Sequence, residues 1–222
     1  MEPFFASKYE LTQAQWLRIT GQRPSQYPYS ACSPVEGVSW EDAARWLERI
    51  GLTLPTEAQW ERAARAETLV ASEPRSADRA HSPWWCGATS NSIGDRAAGN
   101  LADTRSRRLR PETEWHYESW EDEWIHHAPV GSFRANQFGL HDTIGNVWEF
   151  CVDQYHSAGV REGVRASRDG AKQLGDLRSP VIRGGGFNLG AAACRSANRH
   201  EIPPNFVGSV VGVRPARTLS VD

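Results

Sequence analysis

The sequence has few of the features that mark membrane, secreted or nucleic-acid-binding proteins. It contains no run of about 18 apolar residues, so no membrane span is expected. Its start shows neither the basic segment nor the apolar core of a signal peptide, which favours a cytoplasmic location. The net charge of −2 at pH 7 provides no general attraction to phosphate backbones, and nucleic acid is not an expected partner.

Cysteine is also scarce. The four cysteines form no CxxC pair, which excludes the usual zinc motifs and a dense disulfide framework; they are Cys32, Cys86, Cys151 and Cys194. Cys151 and Cys194 lie within apolar sequence, so buried free thiols are the simplest interpretation, and a reducing compartment agrees with it. A disulfide between two of the four is the alternative.

Aromatic residues and glycine are abundant by contrast. The chain has 222 residues, of which 39% are hydrophobic, ten are Trp and nineteen are Gly. This length suits one sizeable core, and we expect one domain over residues 1–222. The basic residues are nearly all Arg, and four of them form a local cluster that we predict to be a solvated loop: Arg105, Arg107, Arg108 and Arg110.

Three helix starts are predicted in the first third of the chain. In each, a Ser or Thr cap precedes a polar residue by three positions, the pattern of reciprocal capping; the pairs are Thr12 with Gln15, Ser39 with Asp42, and Thr56 with Gln59. Long loops are predicted at 66–96, 104–121 and 155–179, and short strands at 128–133, 147–152, 181–183 and 210–214. This order of elements predicts an α+β domain with little regular structure.

Several phrases together resemble the formylglycine-generating-enzyme (sulfatase-modifying factor) family. They are YELTQAQW at 9–16, GVSWEDAARWL at 37–47, LPTEAQWERAAR at 54–65, PVGSF at 129–133, FGLHDTIGNVWEF at 138–150, IRGGGF at 182–187 and VGVRPAR at 211–217. The resemblance implies a C-type-lectin-like fold with few short helices, short antiparallel strands and long irregular loops. Family members usually have more sequence before the first phrase, so the chain is expected to be a domain of a longer protein or a short member.

The resemblance also implies structural calcium, although no cofactor is required. One site would use the side chains of Asp142 and Glu149 with the carbonyls of Gly145 and Val147. A second would use Asn100, the carbonyl of Leu101, Asp122 and the carbonyl of Trp124. All-oxygen ligands suit a hard cation. The alternative is that Asp142 and Glu149 hydrogen-bond backbone amides and hold the loop without metal.

Oxidase activity in the family implies two cysteines shortly after the RGG phrase. Only Cys194 is present there, and the following RSANR phrase aligns it with a core strand position. One thiol cannot supply two-thiolate ligation of a soft metal. Relatives with an iron site use an HxxxHxE-type histidine cluster, whereas here His126 and His127 are adjacent and are expected to point apart on a strand. We therefore expect no catalytic residues.

The phrase RGGGFNxxxxxCRSANRxxxPxNxxxxxxGVR is similar to the variable proteins of diversity-generating retroelements, which display hypervariable residues on this fold. The resemblance implies a ligand-display region at 181–217 and an unidentified ligand, expected to be a protein. The variable positions would be Phe187, Asn188, Leu189, Gly190, Ala192, Ala193, His200, Ile202, Phe206, Gly208 and Ser209. The alternatives are an undiversified accessory module of the same fold and a divergent formylglycine-generating oxidase.

Frame and display residues should differ in burial. Strands that carry Cys194, Ala197, Val211 and Val213 are expected to hold the core, and Arg195, Arg199 and Arg214 to brace it through ion pairs. Four apolar positions are expected to form an exposed patch, which commonly marks a partner site: Phe187, Leu189, Ile202 and Phe206. The alternative is that some of the four are buried.

Overall fold

A computed structural model describes residues 2–66, 82–155 and 179–219. Most of the predicted loop at 155–179 and the middle of the loop at 66–96 lie outside these residues. No helix within the described ranges is long and apolar enough to cross a membrane.

Three helices occupy the N-terminal part: α1 (Gln13–Thr20), α2 (Trp40–Arg49) and α3 (Glu57–Arg65). The predicted reciprocal capping is confirmed at Thr12 and Thr56, where each threonine and the glutamine three residues later bond each other's backbone amide. The cap at Ser39 is one-sided. Its hydroxyl accepts from the amide of Asp42, while the Asp42 carboxylate pairs with Arg45 instead. The predicted reciprocal bond is therefore wrong at α2.

In the described residues that follow, two short helices are present, α4 (Asn91–Asp95) and α5 (Thr104–Leu109), and a 3₁₀ helix spans Ala191–Cys194. The loop predicted at 104–121 is wrong where α5 begins, because the Asp103 carboxylate accepts from the Ser106 amide at 2.7 Å and caps the helix. Three arginines of the basic cluster lie on α5, where Arg108 pairs with Glu121 at 2.8 Å. The cluster is thus partly helical and paired; Arg107 and Arg108 are exposed as predicted, whereas Arg105 and Arg110 are half-buried.

Within the part of the chain that the structure describes, six short strands form two sheets: β1 (Phe4–Ala6), β2 (Trp148–Gln154), β3 (Pro180–Arg183), β4 (Arg199–Glu201), β5 (Val211–Gly212) and β6 (Ala216–Thr218). The larger sheet has the order β4-β3-β2-β5, and β1 pairs with β6 separately. The β2–β5 pair is parallel, which corrects the expectation of antiparallel strands throughout. The strand predicted at 128–133 is also wrong, because Ser132 closes a turn onto the Pro129 carbonyl there.

The main apolar core surrounds β2. Trp148 and Phe150 of β2 pack in one buried cluster with Trp16 of α1, Leu47 of α2 and Val211 of β5. The first three helices thus cover the larger sheet with their apolar faces, and burial of these large side chains is the main stabilising term.

The cysteines are free, which confirms the interpretation as thiols and removes the disulfide alternative. Cys86, Cys151 and Cys194 are buried, whereas Cys32 is exposed. The prediction that Cys194 lies on a strand is wrong. It ends the 3₁₀ helix, fully buried in a second apolar cluster with Ile93 and Leu101.

Candidate functional site

A buried ion pair joins the larger sheet to the end of the chain. Nε and Nη2 of Arg214 each donate to the Glu149 carboxylate at 2.8 Å, and the Trp60 indole donates to the same carboxylate at 2.6 Å. The guanidinium also donates to the carbonyls of Ser7 and His141. Arg214 thus bonds Glu149, Ser7 and His141, which lie in three separate segments of the chain. Its predicted bracing role is confirmed.

A second set of ion pairs fixes β3 and β4 against α3. Arg199 of β4 donates through Nε and Nη2 to both oxygens of Glu57 at 2.7 Å, which confirms its bracing role. The Arg183 guanidinium is fully buried and bonds Glu61 and the carbonyl of Asn198. Arg195, in contrast, is exposed. The start of the predicted variable segment, at Arg183, and its middle, at Arg199, are thus anchored to one helix, α3.

The structure brings the two predicted variable stretches, 187–193 and 200–209, to one face. Trp148 lies beneath both, since its ring is 5.9 Å from the His200 ring and it also adjoins Gly186. Leu189 and Phe206, one from each stretch, pack against the same core cluster. We call the predicted variable positions that are accessible to solvent the display face: Asn188, Leu189, Ala192, Ala193, His200, Phe206, Gly208 and Ser209.

His127 connects the two stretches from below. Its ring centroid lies 4.8 Å from that of Phe187, and its Nε2 donates to the Ser209 carbonyl at 2.7 Å. The Nδ1 atom is buried without a partner, so the ring is neutral. Burial lowers the pKa of His127 to about 4.

The expected exposed apolar patch does not form. Phe187 and Ile202 are only 3% and 8% exposed, and Leu189 and Phe206 are half-buried. Gly190 is buried as well, because its backbone lies against His116. These burial values correct the expectation for Phe187 and Ile202 and favour the stated alternative.

Two further expectations about the frame also need correction. Ala197 is exposed, and so it does not belong to the core, whereas Val211 and Val213 are fully buried as expected. His126 and His127 do not point apart on a strand. Their backbone is irregular, and both rings contact Phe187, with centroids 5.5 and 4.8 Å away.

The thiol of Cys194 is enclosed. Its sulfur lies so close to Gly185 that a Cβ added there would come within 2.3 Å of it. Burial raises the pKa of Cys194 to about 12. The thiol is therefore protonated at neutral pH, and a protonated, enclosed thiol is neither a nucleophile nor a metal ligand.

The two carboxylates of the first predicted calcium site, Asp142 and Glu149, already accept hydrogen bonds from other residues. Both oxygens of Glu149 accept from Arg214 and Trp60, so a guanidinium already lies where a cation would bind. Asp142 accepts from the Gly131 amide through Oδ2, while its Oδ1 is buried without a partner. The backbone bond of Asp142 matches the metal-free alternative, whereas Glu149 bonds side chains rather than amides.

In the second predicted calcium site, the carboxylate likewise accepts hydrogen bonds from other residues. Both oxygens of Asp122 accept backbone amides, from Leu101 at 2.7 Å and Trp124 at 2.9 Å, and burial raises the pKa of Asp122 to about 7. Asn100 keeps one buried oxygen without a partner. Within the described ranges, no group of three or more His, Cys, Asp or Glu side chains is placed to hold a metal ion. Calcium at Gly145, Val147 or the other named positions stays a prediction.

Aromatic rings from distant loops surround Phe187 and His126, and the sequence patterns did not predict these contacts. The Tyr27 ring stacks on that of His126 at 4.6 Å, and the Trp115 ring meets that of Phe187 edge-on at 5.8 Å. Tyr29 is 65% exposed beside them. The only signal in the sequence is the density of aromatic residues in the loops QYPYS and EWHYE.

We predict that protonation of His127 weakens the fold at acid pH. Its pKa is about 4 in the folded state against an ordinary value of 6.5. Stability from neutral His127 is therefore fully present above pH 6.5 and is lost as pH falls through 4, by about 3 kcal/mol in total. Urea unfolding of the wild type and His127→Gln measures this, because glutamine donates to Ser209 without titrating. Parallel pH profiles for the two proteins would contradict the prediction.

Comparisons with known proteins agree with this architecture. The family model described as "Sulfatase-modifying factor enzyme 1-like domain" matches residues 1–219. The formylglycine-generating enzyme of Streptomyces coelicolor is 32% identical over 219 residues, which cover 91% of this chain and 58% of that protein. The chain spans about half the length of the curated relatives it matches.

Two solved structures have the same fold. Treponema denticola variable protein 1 superposes with a TM-score of 0.66 at 20% identity, over 97% of this chain and 84% of that one. PvdO from Pseudomonas aeruginosa superposes with a TM-score of 0.64 at 22% identity, over 98% and 81%. They confirm the predicted α+β, C-type-lectin-like fold. The chain belongs to the sulfatase-modifying factor enzyme 1-like domain family.

Proposed function

We propose that this domain is a noncatalytic ligand-binding protein, which presents a replaceable set of side chains on a C-type lectin scaffold in the manner of diversity-generating retroelement variable proteins. The observation that carries the proposal is the division of 187–209 into a buried frame and an accessible face. Phe187 and Ile202 are buried, whereas Ala192 and His200 are exposed. Side chains can change at exposed positions with little effect on the fold.

The enclosed thiol supports the noncatalytic part of the proposal. Cys194 is the single cysteine after the RGG phrase, and its pKa of about 12 keeps it protonated. An oxidase assay with copper and a CxPxR peptide should therefore yield no formylglycine. Formation of the aldehyde, detected by mass spectrometry, would contradict the proposal.

The diversified part of the proposal is tested in the DNA. A near-identical repeat of the segment that encodes 181–217 should lie near the gene, beside a reverse transcriptase gene, and should differ from it at adenines. The differences should fall in codons for the display face and spare those for Phe187 and Ile202. If no such repeat exists, the domain is an undiversified module of the same fold.

We also predict that the display face tolerates replacement. A triple variant with Ala192→Tyr, Ala193→Asn and His200→Asn should keep its free energy of unfolding within about 1 kcal/mol of the wild type, because all three side chains reach solvent. Chemical denaturation followed by Trp fluorescence measures this. A loss of several kcal/mol would show that these positions belong to the core, and the display face would be wrong.

A further inference from the structure

A groove lies between α1 and the two-stranded sheet of β1 and β6, away from the display face. Its volume is about 420 Å³, within the range of ligand sites, and none of its lining residues belongs to 187–209. Leu11 forms part of its buried base, and Ile19 and Leu52 line its sides. The groove is therefore a separate surface that the proposed function does not use.

The groove exposes large apolar side chains. Phe5 points outward from β1 with 62% of its surface exposed, and Ile50, just after α2, is 45% exposed. Most residues that line the groove are apolar. Exposed apolar side chains gathered around a groove are typical of an interaction site.

The charged residues that line the groove are all positive. Arg18, in the last turn of α1, and Arg217, in β6, are the charged residues of the lining, and both are exposed. Neither forms an ion pair with any residue in the described ranges. Arg183, Arg199 and Arg214 differ, because each is paired with a glutamate. The groove thus offers two guanidinium groups from two separate elements and no carboxylate.

We infer that this groove binds an acidic, apolar peptide segment of a partner protein. Apolar side chains of the segment cover Phe5 and Ile50, and carboxylates on it pair with Arg18 and Arg217. Guanidinium groups recognise carboxylates through two parallel hydrogen bonds, which gives direction as well as attraction. A basic or neutral peptide in the groove would partly desolvate Arg18 and Arg217 without pairing them. The positive charge of the groove therefore selects an acidic partner.

The test is selection from a phage library of random short peptides against the whole chain. Enriched peptides should combine Leu, Ile or aromatic residues with at least two acidic residues. They should lose binding to an Arg18→Glu/Arg217→Glu variant and keep it with Arg134→Glu, an exposed arginine outside the groove. Enrichment of basic or neutral peptides, or equal binding to the charge-reversed variant, would overturn the inference.

A synthetic peptide from the selection then locates the site by calorimetric titration. Ile50→Glu should weaken its binding by about tenfold or more, because the new carboxylate lies in the apolar part of the groove and repels an acidic peptide. His200→Asn on the display face should leave the affinity unchanged, which separates this inference from the proposed function. A stable dimer in sedimentation that Ile50→Glu dissociates would instead show a second copy in the groove and would overturn the inference.

Discussion

Arg214→Met is expected to destabilise the domain by about 3–5 kcal/mol, the cost of removing one partner of a buried ion pair. The Glu149 carboxylate would stay buried with only the Trp60 indole as donor. Two more buried carboxylates lie nearby, and burial raises the pKa of both Glu10 and Asp142, with Arg214 acting to lower it. Arg214 is the cation that balances the carboxylates of Glu149, Glu10 and Asp142. Urea unfolding at pH 7 measures the free energy lost when it is replaced.

The control for Arg214→Met is Arg134→Met, which removes an exposed arginine and should change the free energy of unfolding by no more than about 0.5 kcal/mol. The double variant Glu149→Gln/Arg214→Met removes both charges and keeps an acceptor for Trp60. It should be more stable than Arg214→Met alone, because the Glu149 charge is then not left buried without its partner. Equal stability of Arg214→Met and Arg134→Met would contradict the assigned role of the pair.

Phe187→Ala is expected to cost about 3–5 kcal/mol, the usual range for deletion of a buried aromatic side chain. Its ring meets His127, His126 and Trp115, so truncation leaves a cavity under the display face that these rings cannot all fill. Thermal and urea unfolding of the variant measure the effect. This result would place Phe187 in the frame and remove it from the replaceable set.

Ala192→Ser is the matched comparison for Phe187→Ala, because Ala192 is exposed in the same stretch. It should leave the free energy of unfolding within about 0.5 kcal/mol of the wild type. If Phe187→Ala were equally mild, Phe187 would be a display residue after all, in agreement with its place among the predicted variable positions. The contrast between the two variants therefore tests the boundary between frame and face.

Local signals in the sequence predicted local structure well. The helices at Thr12 and Thr56 begin where expected, because a cap needs only residues three positions apart. The helix at α5 was not predicted because its cap is Asp103, whereas the pattern requires a Ser or Thr cap. The strand predicted at 128–133 has an apolar pattern, but none of the described residues provides a neighbouring strand for it, and a single segment does not show its pairing partners.

The sequence by itself determined the family, the α+β fold and the absence of a second cysteine after the RGG phrase. Only the tertiary structure decided which residues of 187–209 reach solvent. Phe187 is covered by Tyr27, His126 and His127, which lie far away along the chain. Likewise, Glu149 and Arg214 meet across 65 positions. Burial depends on which distant side chains cover a residue, and a local pattern carries no information about that cover.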